Sequence, residues 1–245
     1  MSIEKRLTIV ARYNEDISWT ESLPGDVVIY NKGELFPFDM PRVDVKNIGR
    51  EAETYVRGIL DFYDQLESFD SLCFLQGDPF HHCKNAFDIL LKPMKNYFDE
   101  KKVEHQPIVY LADECFSVFC PKDSFVFGTH TNMIDLYWSE IDKKSYKHIS
   151  ENKLAYQMDN VKFDMFDMLY ILEIMKIPYE GISVPWAYGA MYLVDTKLIL
   201  CKSKDWWLNF YNFMMYTLEV LESESMPFIL ERLWSTIFLH GYKNV

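Results

Sequence analysis

The sequence has few basic residues for its acidity, and it lacks long apolar runs. Lysine and arginine number 25 against 37 aspartate and glutamate residues, so the net charge is −12. This negative charge repels nucleic-acid phosphates and anionic lipids, which makes both poor partners. No stretch approaches the roughly 20 apolar residues of a membrane span, and the start lacks the apolar run of a signal peptide. We therefore expect a cytoplasmic protein that has no membrane span and does not bind nucleic acid.

Sequence signatures of several other protein classes are also missing. The five cysteines are scattered and include no Cys-x-x-Cys pair, so neither a disulfide framework nor a zinc ribbon is indicated. The absence of a Gly-x-Ser-x-Gly elbow disfavours a serine hydrolase. The absence of a Gly-x-Gly-x-x-Gly motif and of a Walker loop disfavours a dinucleotide or ATP enzyme. No internal repeat or linker divides the chain, so residues 1–245 are predicted to form a single domain.

Strand-like and helix-like segments alternate along the chain. Short apolar, β-branched runs predict strands, and apolar residues at helical spacing predict helices. The predicted strands are Leu7–Ala11, Asp26–Tyr30, Ser71–Leu75, Pro107–Leu111 and Ala187–Val194. The predicted helices are a short one ending at Leu23, one preceded by Asn47 and Gly49 and reaching Tyr63, Lys84–Phe98 with a break at Pro93, Val161–Lys176, Asp205–Leu221 and Pro227–Leu239. This order predicts an α/β, Rossmann-like domain with a mainly parallel central sheet flanked by helices.

Polar residues cluster beside four of the predicted elements. The loops that follow neighbouring parallel strands meet at the carboxyl edge of a sheet, where ligands bind. The candidate ligand-binding residues in these clusters are Arg12, Asn14, Glu15, Asn31, Asn47, Gly49, Arg50, Gln76 and Asp78. Each cluster alone also fits an ordinary turn, because turns favour Asn, Asp and Gly for conformational reasons. Together the clusters predict one shared crevice.

Four motifs carry a resemblance to a known family. They are Val-Ala-Arg-Tyr-Asn-Glu-Asp at residues 10–16, Asn-Lys-Gly at 31–33, Asn-Ile-Gly-Arg-Glu-Ala at 47–52 and Phe-Leu-Gln-Gly-Asp at 74–78. In this order they resemble a glycosyltransferase of the GT-A type. The sequence is similar in particular to uncharacterised glycosyltransferase-like proteins that share the Asn-x-Gly-Arg-Glu-Ala and Leu-Gln-Gly-x-Pro motifs. The similarity runs loosely from Leu7 to His240, and its most specific part precedes His82.

The resemblance implies a GT-A-like fold and transfer of a sugar from a nucleotide-diphosphate sugar to a hydroxyl acceptor, in glycan or polysaccharide synthesis. The implied donor is a UDP-, GDP- or dTDP-sugar bound across the first strands. Residues 1–110 would form the donor-binding half, and residues 111–245 the acceptor-binding and C-terminal helical half. By the same resemblance Asn14, Glu15 and Asp16 lie near the nucleoside, although Asp16 also fits a helix cap.

The resemblance also implies a divalent metal at the acidic motif that ends the third predicted strand. Mg²⁺ or Mn²⁺ would neutralise the charge of the departing diphosphate, and Asp78 is the candidate metal ligand and catalytic residue. The family pattern has two acidic residues spaced by one, whereas Gln76 stands at the first position here. His81 and His82 could assist, although adjacent loop histidines are often ordinary surface residues.

Arg50 is the candidate phosphate-binding residue. It follows Gly49 at a predicted helix start, where a guanidinium group and the helix N-terminus would both attract a phosphate. The alternative is an ion pair between Arg50 and Glu53 or Asp78.

The C-terminal half adds candidates for sugar binding and for the catalytic base. Trp186, Tyr188 and Gly189 would stack a sugar and let it approach the backbone, with core packing as the alternative. The resemblance implies an acidic base near the start of a late helix, and Glu231 is the best match. A carboxylate amid apolar residues is otherwise paired with a cation, here Arg232 or Arg12. His240 either reaches the donor phosphates or is structural.

Two other functions fit the same sequence. The first is a non-catalytic sugar- or protein-binding module on the same fold, which Gln76 in place of an acidic residue favours. The second is nucleotidyl transfer, which the same sheet and metal would serve.

Overall fold

The chain folds into helices packed against a six-stranded sheet. The computed structural model describes residues 4–37, 39–102, 104–113, 115–119, 171–178, 183–219 and 226–242. The strands are β1 (Arg6–Arg12), β2 (Asp26–Asn31), β3 (Arg42–Asp44), β4 (Ser71–Gln76), β5 (Ile108–Tyr110), β6 (Cys115–Phe119), β7 (Ser183–Ala187) and β8 (Tyr192–Asp195). The helices are α1 (Arg50–Phe62), α2 (Ala86–Leu90), α3 (Met94–Lys101), α4 (Lys197–Leu200), α5 (Lys204–Glu219) and α6 (Met226–Leu239). Ser18–Ser22 and Tyr63–Ser68 are 3₁₀ helices, and residues 171–174 are helical.

The sheet is mostly parallel and has the order β3-β2-β1-β4-β8-β5. β1 pairs in parallel with β2 and β4, and β2 pairs in parallel with β3. β8 is antiparallel to both β4 and β5, so β5 runs in the same direction as β4. β6 and β7 form a separate antiparallel pair. The prediction of an α/β fold with a mainly parallel sheet flanked by helices is confirmed.

β1 lies at the centre of the sheet because its sequence is apolar on both faces. Leu7, Ile9 and Val10 have 0% exposed surface. Leu7 and Ile9 join a core with α1, α5 and α6, whereas Val10 joins a second core with α2 and α3. Side chains alternate between the faces of a strand, so one apolar run contributes to both cores. Each buried Leu or Ile side chain contributes about 1.5–3 kcal/mol of hydrophobic stabilisation.

α1 crosses one face of the sheet and follows the predicted apolar spacing. Ala52, Tyr55, Val56 and Ile59 are fully buried, as an amphipathic helix packed on a core requires. The helix predicted after Gly49 is therefore confirmed. A charged residue of this helix, Glu53, is nevertheless only 2% exposed. It is buried because α5 packs alongside α1 and places Tyr211 against it.

The prediction of one strand over Ala187–Val194 is wrong. β7 ends at Ala187 and β8 begins at Tyr192. The two strands are separated by a turn in which the N–H of Ala190 donates to the carbonyl of Ala187 over 3.1 Å. Gly189 within this turn has a φ of +87°, a conformation that glycine adopts without steric penalty.

Three other segments differ in extent from their predictions. A break at Pro93 separates α2 from α3, as predicted, and each part is shorter than the predicted helix. β3 was not predicted, since its three residues are exposed and give no apolar signal. Most of the predicted helix Val161–Lys176 lies outside the described residues, although residues 171–174 are helical.

β8 joins the two halves of the chain within one sheet. It comes from residues 111–245 but lies between β4 and β5, which belong to residues 1–110. Strands from the two predicted halves therefore lie in one sheet. Among the described residues, no helix has the length and apolar character to cross a membrane.

Candidate active site at the carboxyl edge of the sheet

The carboxyl ends of β1, β2 and β4 lie side by side. Arg12 at the end of β1 is in register with Asn31 at the end of β2, and Ala11 is in register with Gln76 at the end of β4. The chain passes from β1 to β2 and β3 on one side and then returns to β4 on the other side of β1. Such a reversal of strand order opens a crevice above the carboxyl ends, where α/β proteins bind ligands.

Arg12 ties together the loops that follow β1 and β2. It is 6% exposed, and its guanidinium donates hydrogen bonds to Asn31 Oδ1 over 2.6 Å and to the carbonyls of Glu15 and Glu34 over 3.0 and 2.6 Å. Asn31 in turn donates from its amide to the carbonyl of Gly33 over 3.1 Å. Arg12 and Asn31 thus use their polar groups to shape the rim of the crevice.

The residues predicted near a nucleoside also make local contacts. Asn14 Oδ1 accepts a hydrogen bond from the backbone of Glu34 over 2.8 Å. Glu15 Oε2 accepts one from the backbone of Tyr13 over 2.6 Å. Asp16 Oδ1 accepts one from the backbone of Ser18, at the start of the 3₁₀ helix, over 2.9 Å. The N-cap residue of this helix is Ile17, so Asp16 lies one residue before the cap and makes a local turn contact. The loop bearing Asn14 and Glu15 has a defined shape.

Lys32 fixes the loop that leads into α1. Its ammonium group donates to the carbonyls of Ile48 and Arg50 over 2.6 and 2.5 Å, and lies 2.9 Å from Glu53 Oε2. The side chains of Lys32 and Glu53 are 3% and 2% exposed. Burial lowers the pKa of Lys32, while Glu53 opposes that shift. Glu53 also accepts hydrogen bonds from Arg57 and Tyr211, so its buried charge is fully paired.

Arg50 stands at the mouth of the crevice on the loop that Lys32 holds. Its φ of +51° follows a φ of +64° at Gly49, so the chain enters α1 through two left-handed residues. The Arg50 guanidinium lies 4.7 Å from the centre of the Phe228 ring at the start of α6. Within the described residues, the ion pairs of Glu53 are with Lys32 and Arg57, not with Arg50. Asn47, on the same loop, is exposed.

A single turn connects β4 with α6. The Gln76 amide at the end of β4 donates to the carbonyl of Gly189 over 2.8 Å. The N–H of Gly189 donates to Glu231 Oε1 on α6, also over 2.8 Å. A Cβ atom at Gly189 would lie 2.5 Å from the His82 ring, so only glycine fits this position. Three predicted residues, Gln76, Gly189 and Glu231, are therefore brought together.

Glu231 is a half-buried carboxylate beside a buried cation. Its side chain is 13% exposed, and Glu231 Oε2 lies 3.7 Å from Arg232 Nη1, so the predicted pairing with Arg232 is confirmed. Burial raises the pKa of Glu231, whereas Arg232, the N–H of Gly189 and Arg50 lower it. The guanidinium of Arg232 also lies 4.8 Å from the Trp186 ring. Glu231 is thus a carboxylate of raised basicity at the edge of the crevice.

A second glutamate, Glu51 in the first turn of α1, lies close to Glu231. Burial, with a further contribution from Glu231, raises the pKa of Glu51 to about 7. Arg50 and Lys32 act in the opposite direction. Carboxyl groups that interact in this way share their protons.

Trp186 and Tyr188 have different environments. Trp186 is 2% exposed and belongs to the core beneath Arg232, so the core-packing alternative applies to it. Tyr188 is half-buried and its ring meets the His82 ring edge-on, with centres 4.7 Å apart. Tyr188 therefore borders the same turn as Gln76 and Glu231.

Asp78 and two histidines line the crevice next to β4. Asp78 is exposed, and its Oδ1 accepts a hydrogen bond from the backbone of Phe80 over 3.2 Å. Burial and the neighbouring His81 lower the pKa of His82 to about 4, with Asp78 acting against them, so His82 is neutral at physiological pH. Among the described residues, no three His, Cys, Asp or Glu side chains are grouped to hold a metal ion.

Comparison with known proteins places the chain in a family. A family model described as a protein of unknown function (DUF3431) matches residues 7–245. The chain belongs to the DUF3431 family. No curated protein and no solved structure matches it. The match includes β1 from Leu7 onward, β2 to β8 and every crevice residue described above.

His240 of the DUF3431 protein lies away from the crevice. Its carbonyl accepts a hydrogen bond from Cys201 Sγ over 3.5 Å, next to Lys202. The carbonyl of Lys202 accepts one from Tyr63, just beyond the end of α1. α1 starts at the carboxyl edge with Arg50 and ends at the amino edge, so His240 lies at the amino edge and is not brought together with Glu231.

Two residues of the crevice, Lys32 and Glu51, were not predicted to be site residues. Both stand inside motifs that the sequence did single out, Asn-Lys-Gly and Asn-Ile-Gly-Arg-Glu-Ala. A lysine in a turn and a glutamate in a first helical turn are both common on solvated surfaces. The pairing of Lys32 depends on Glu53 of α1, and the interaction of Glu51 depends on Glu231 of α6, and the local sequence contains neither contact.

Proposed function

We propose that the DUF3431 protein is a glycosyltransferase of the GT-A type that moves a sugar from a nucleotide-diphosphate sugar to a hydroxyl acceptor in glycan or polysaccharide synthesis. The observation that carries the proposal is the position of Glu231. Its carboxylate accepts a hydrogen bond from Gly189, in a turn held by Gln76 at the end of β4. This arrangement fixes a carboxylate beside the β1/β4 crevice, where a ligand is expected.

Glu231 is the proposed catalytic base. A hydroxyl group that attacks a sugar must lose its proton, and a positioned carboxylate of raised pKa removes it efficiently near neutral pH. Burial raises the pKa of Glu231, which suits that role. The hydrogen bond from Gly189 occupies one carboxylate oxygen, Oε1, and holds the group in place.

The donor diphosphate is proposed to lie against Arg50. A planar guanidinium group binds phosphate oxygens in a bidentate manner, and the N-terminus of a helix also attracts anions. Arg50 offers both at the exposed start of α1, beside the crevice. Tyr188, next to Gly189 in the turn between β7 and β8, is the proposed contact for a sugar ring. Arg12, Asn14 and Asn31 then act by shaping the loops that receive the nucleoside.

Asp78 is the proposed metal ligand, although the protein would supply few of the ligands. When bound, Mg²⁺ or Mn²⁺ would neutralise charge on the diphosphate. The Gln76 amide is engaged with Gly189 and the described residues hold no three-ligand cluster. Phosphate oxygens and water would therefore complete the metal shell, so metal affinity is expected to depend on the donor.

A non-catalytic sugar-binding module is the second candidate. The observation that favours it is Gln76, whose amide supports the Gly189 turn at a position where the resembled enzymes have an acidic residue. Such a module would bind the nucleotide sugar or the glycan without turnover.

Thermal-shift measurements with UDP-, GDP- and dTDP-sugars, with and without Mn²⁺, test donor binding. A stabilised protein is expected with one donor class, and a smaller shift without Mn²⁺ or in Asp78→Ala. Asp26→Ala is the matched control, because Asp26 is also exposed but starts β2 at the amino edge. The absence of a shift with every donor would overturn the proposal.

Release of the nucleoside diphosphate tests catalysis. Glu231→Gln is expected to lower the rate by about 10²–10⁴-fold, the usual contribution of a general base, while the donor-dependent thermal shift persists. Glu67→Gln, an exposed glutamate at the amino edge, is the control. Donor binding without sugar transfer or donor hydrolysis in the unmodified protein would favour the non-catalytic module.

A further inference from the structure

The first turns of α1 and α6 face each other across the crevice mouth. The Arg50 guanidinium of α1 lies 4.7 Å from the Phe228 ring of α6. Further along, the Tyr55 ring of α1 lies 5.8 Å from the Trp234 ring of α6. The two helices therefore run side by side in the same direction over this stretch.

These two ring contacts align Glu51 with Glu231. Glu51 lies one turn before Tyr55 on the same helix face, because residues four apart are neighbours on an α-helix. Glu231 lies three residues after Phe228 and three before Trp234. Along the sequence, Glu51 lies between Arg50 and Tyr55 of α1. Glu231 lies between Phe228 and Trp234 of α6, the residues that make the two contacts. Glu231 contacts the Gly189 turn through Oε1, and Glu51 interacts electrostatically with Glu231.

Three cationic groups lie near the two carboxyls, and two of them also have other partners. Lys32 and Arg50 face Glu51, and Arg50 and Arg232 face Glu231. Lys32 is already paired with Glu53. Arg232 lies 3.7 Å from Glu231 and also donates to the carbonyl of Phe228 over 2.6 Å.

Two buried hydroxyl groups lie near the same carboxyls. Both glutamates contribute to raising the pKa of Tyr55, on α1, and Glu231 contributes to raising the pKa of Tyr192, on β8. Burial raises the pKa of both tyrosines well above the ordinary value, so both remain neutral and add no negative charge. Tyr192 donates a hydrogen bond to the carbonyl of Glu231 over 3.3 Å. The ionisation that varies near neutral pH is therefore that of the glutamate pair.

We infer that Glu51 and Glu231 act as one coupled acid–base group, in which Glu51 is the positioning residue and Glu231 the base that meets the acceptor hydroxyl. The role of the pair in the reaction rests on the proposed function, whereas the coupling between the two carboxyls does not. When both carboxyls are ionised, the pair takes up one proton from the acceptor hydroxyl, and the freed alkoxide forms the new bond to the sugar as the nucleoside diphosphate departs. The proton stays on the pair.

Coupling makes the pair a stronger base than a lone glutamate. Two interacting carboxyls lose their protons in two steps that belong to the pair, and the second step is displaced to higher pH by the charge left by the first. Burial and Glu231 raise the pKa of Glu51 to about 7. A general base is most effective when its pKa lies near the working pH.

Carbon-13 NMR titration of the glutamate side-chain carboxyls tests the coupling on the protein alone. We expect one carboxyl resonance that titrates near pH 7 and disappears in Glu51→Gln. In Glu231→Gln the midpoint of that resonance is expected to move to lower pH. The titration of Glu67→Gln serves as the control. The absence of any glutamate titrating above pH 6, or an unchanged midpoint in Glu231→Gln, would overturn the inference whether or not the protein transfers sugar.

The pH profile of kcat/KM tests the role in the reaction. We expect an ascending limb with a midpoint near pH 7 in the unmodified protein. In Glu51→Gln this limb is expected to move to lower pH, with a plateau lowered about tenfold, a smaller effect than the loss of the base itself. Glu51→Asp is expected to restore the limb, and the donor-dependent thermal shift is expected to stay unchanged in both variants.

The outcomes separate the coupling from the proposed function. A uniform loss of rate in Glu51→Gln, with the limb unmoved and no rescue by Glu51→Asp, would indicate a merely structural role and overturn the inference while transfer itself stands. A protein that shows the coupled titration but transfers no sugar would retain the coupled pair and overturn the proposed function.

Discussion

The ammonium group of Lys32 and the carboxylate of Glu53 form a buried ion pair of 2.9 Å beneath the loop that carries Arg50. Lys32 follows β2, Glu53 lies in the first turns of α1, and the pair joins a strand to the helix that crosses it. The same ammonium group holds the carbonyls of Ile48 and Arg50. The crevice mouth therefore depends on an interaction that is itself inaccessible to solvent.

Replacing Lys32 with methionine is expected to lower the free energy of unfolding by about 3 kcal/mol, because removal of one partner leaves the other charge buried. Arg57 and Tyr211 still contact Glu53, which places the effect at the lower end for such pairs. Urea unfolding measures the change. Lys204→Met is the control, since the pair of Lys204 with Asp64 is exposed and its loss should matter by less than about 1 kcal/mol. Equal effects of the two substitutions would contradict the assignment.

Replacing Gly189 with alanine is expected to lower both stability and transfer activity. The new Cβ would meet the His82 ring at 2.5 Å, and a φ of +87° is strained for any other residue. Backbone strain of this kind is about 1–3 kcal/mol, and displacement of the turn would move the N–H that Glu231 uses. Gly241→Ala is the control, because Gly241 also has a positive φ but its added Cβ has no neighbour closer than 3.9 Å. If Gly241→Ala reduced transfer as strongly, the turn would have no special role.

The stability of the protein is expected to fall as the pH decreases from about 6.5 to about 4, in part because of His82. Burial lowers the pKa of His82 to about 4 from an ordinary value of 6.5. In this interval the unfolded state binds more protons than the folded state, so acid favours unfolding. Thermal unfolding across this range is expected to show a shallower loss of Tm in His82→Gln. His105→Gln, a change at a ring that packs on Phe98 outside the crevice, should retain the slope of the unmodified protein.

Replacing Arg50 with alanine is expected to raise the Kd of the nucleotide-sugar donor about tenfold, the equivalent of losing one hydrogen bond to a charged group. Arg50→Lys should recover only part of the affinity, because lysine keeps the charge but loses the planar fork. Calorimetric titration with the donor that gives the largest thermal shift measures both. Lys197→Ala, an exposed cation that follows β8 outside the crevice, is the control. Unchanged affinity in Arg50→Ala would remove Arg50 from the donor site.

The strands and α1 were predictable because their signals are local. The run from Leu7 is apolar on both faces and became the central strand, and the spacing of Ala52, Tyr55 and Ile59 gave the buried face of α1. The break between β7 and β8 was not predicted, because the segment around Gly189 is otherwise continuously apolar. Whether one glycine turns a chain or lies within a strand depends on what packs against it, here His82.

The candidate site was predictable in position but not in its pairings. The ends of β1, β2 and β4 were predicted to meet at one edge of the sheet, and they lie side by side there. The sequence could not indicate that Arg12 contacts the Glu34 carbonyl, or that two glutamates two residues apart have different partners. Glu53 faces Lys32 and α5, whereas Glu51 faces α6. These differences come from elements far apart in the chain, and no local pattern encodes them.

The position of β8 also affects how the protein assembles during synthesis. Residues 192–195 pair with both β4 and β5, so an emerging chain that ends before them has β4 as an open edge. Exposed strand edges promote association between chains, and pairings between distant segments form slowly. The edge of the sheet at β4 thus stays unpaired during synthesis until residues 192–195 have left the ribosome, and association between nascent chains is favoured during this interval.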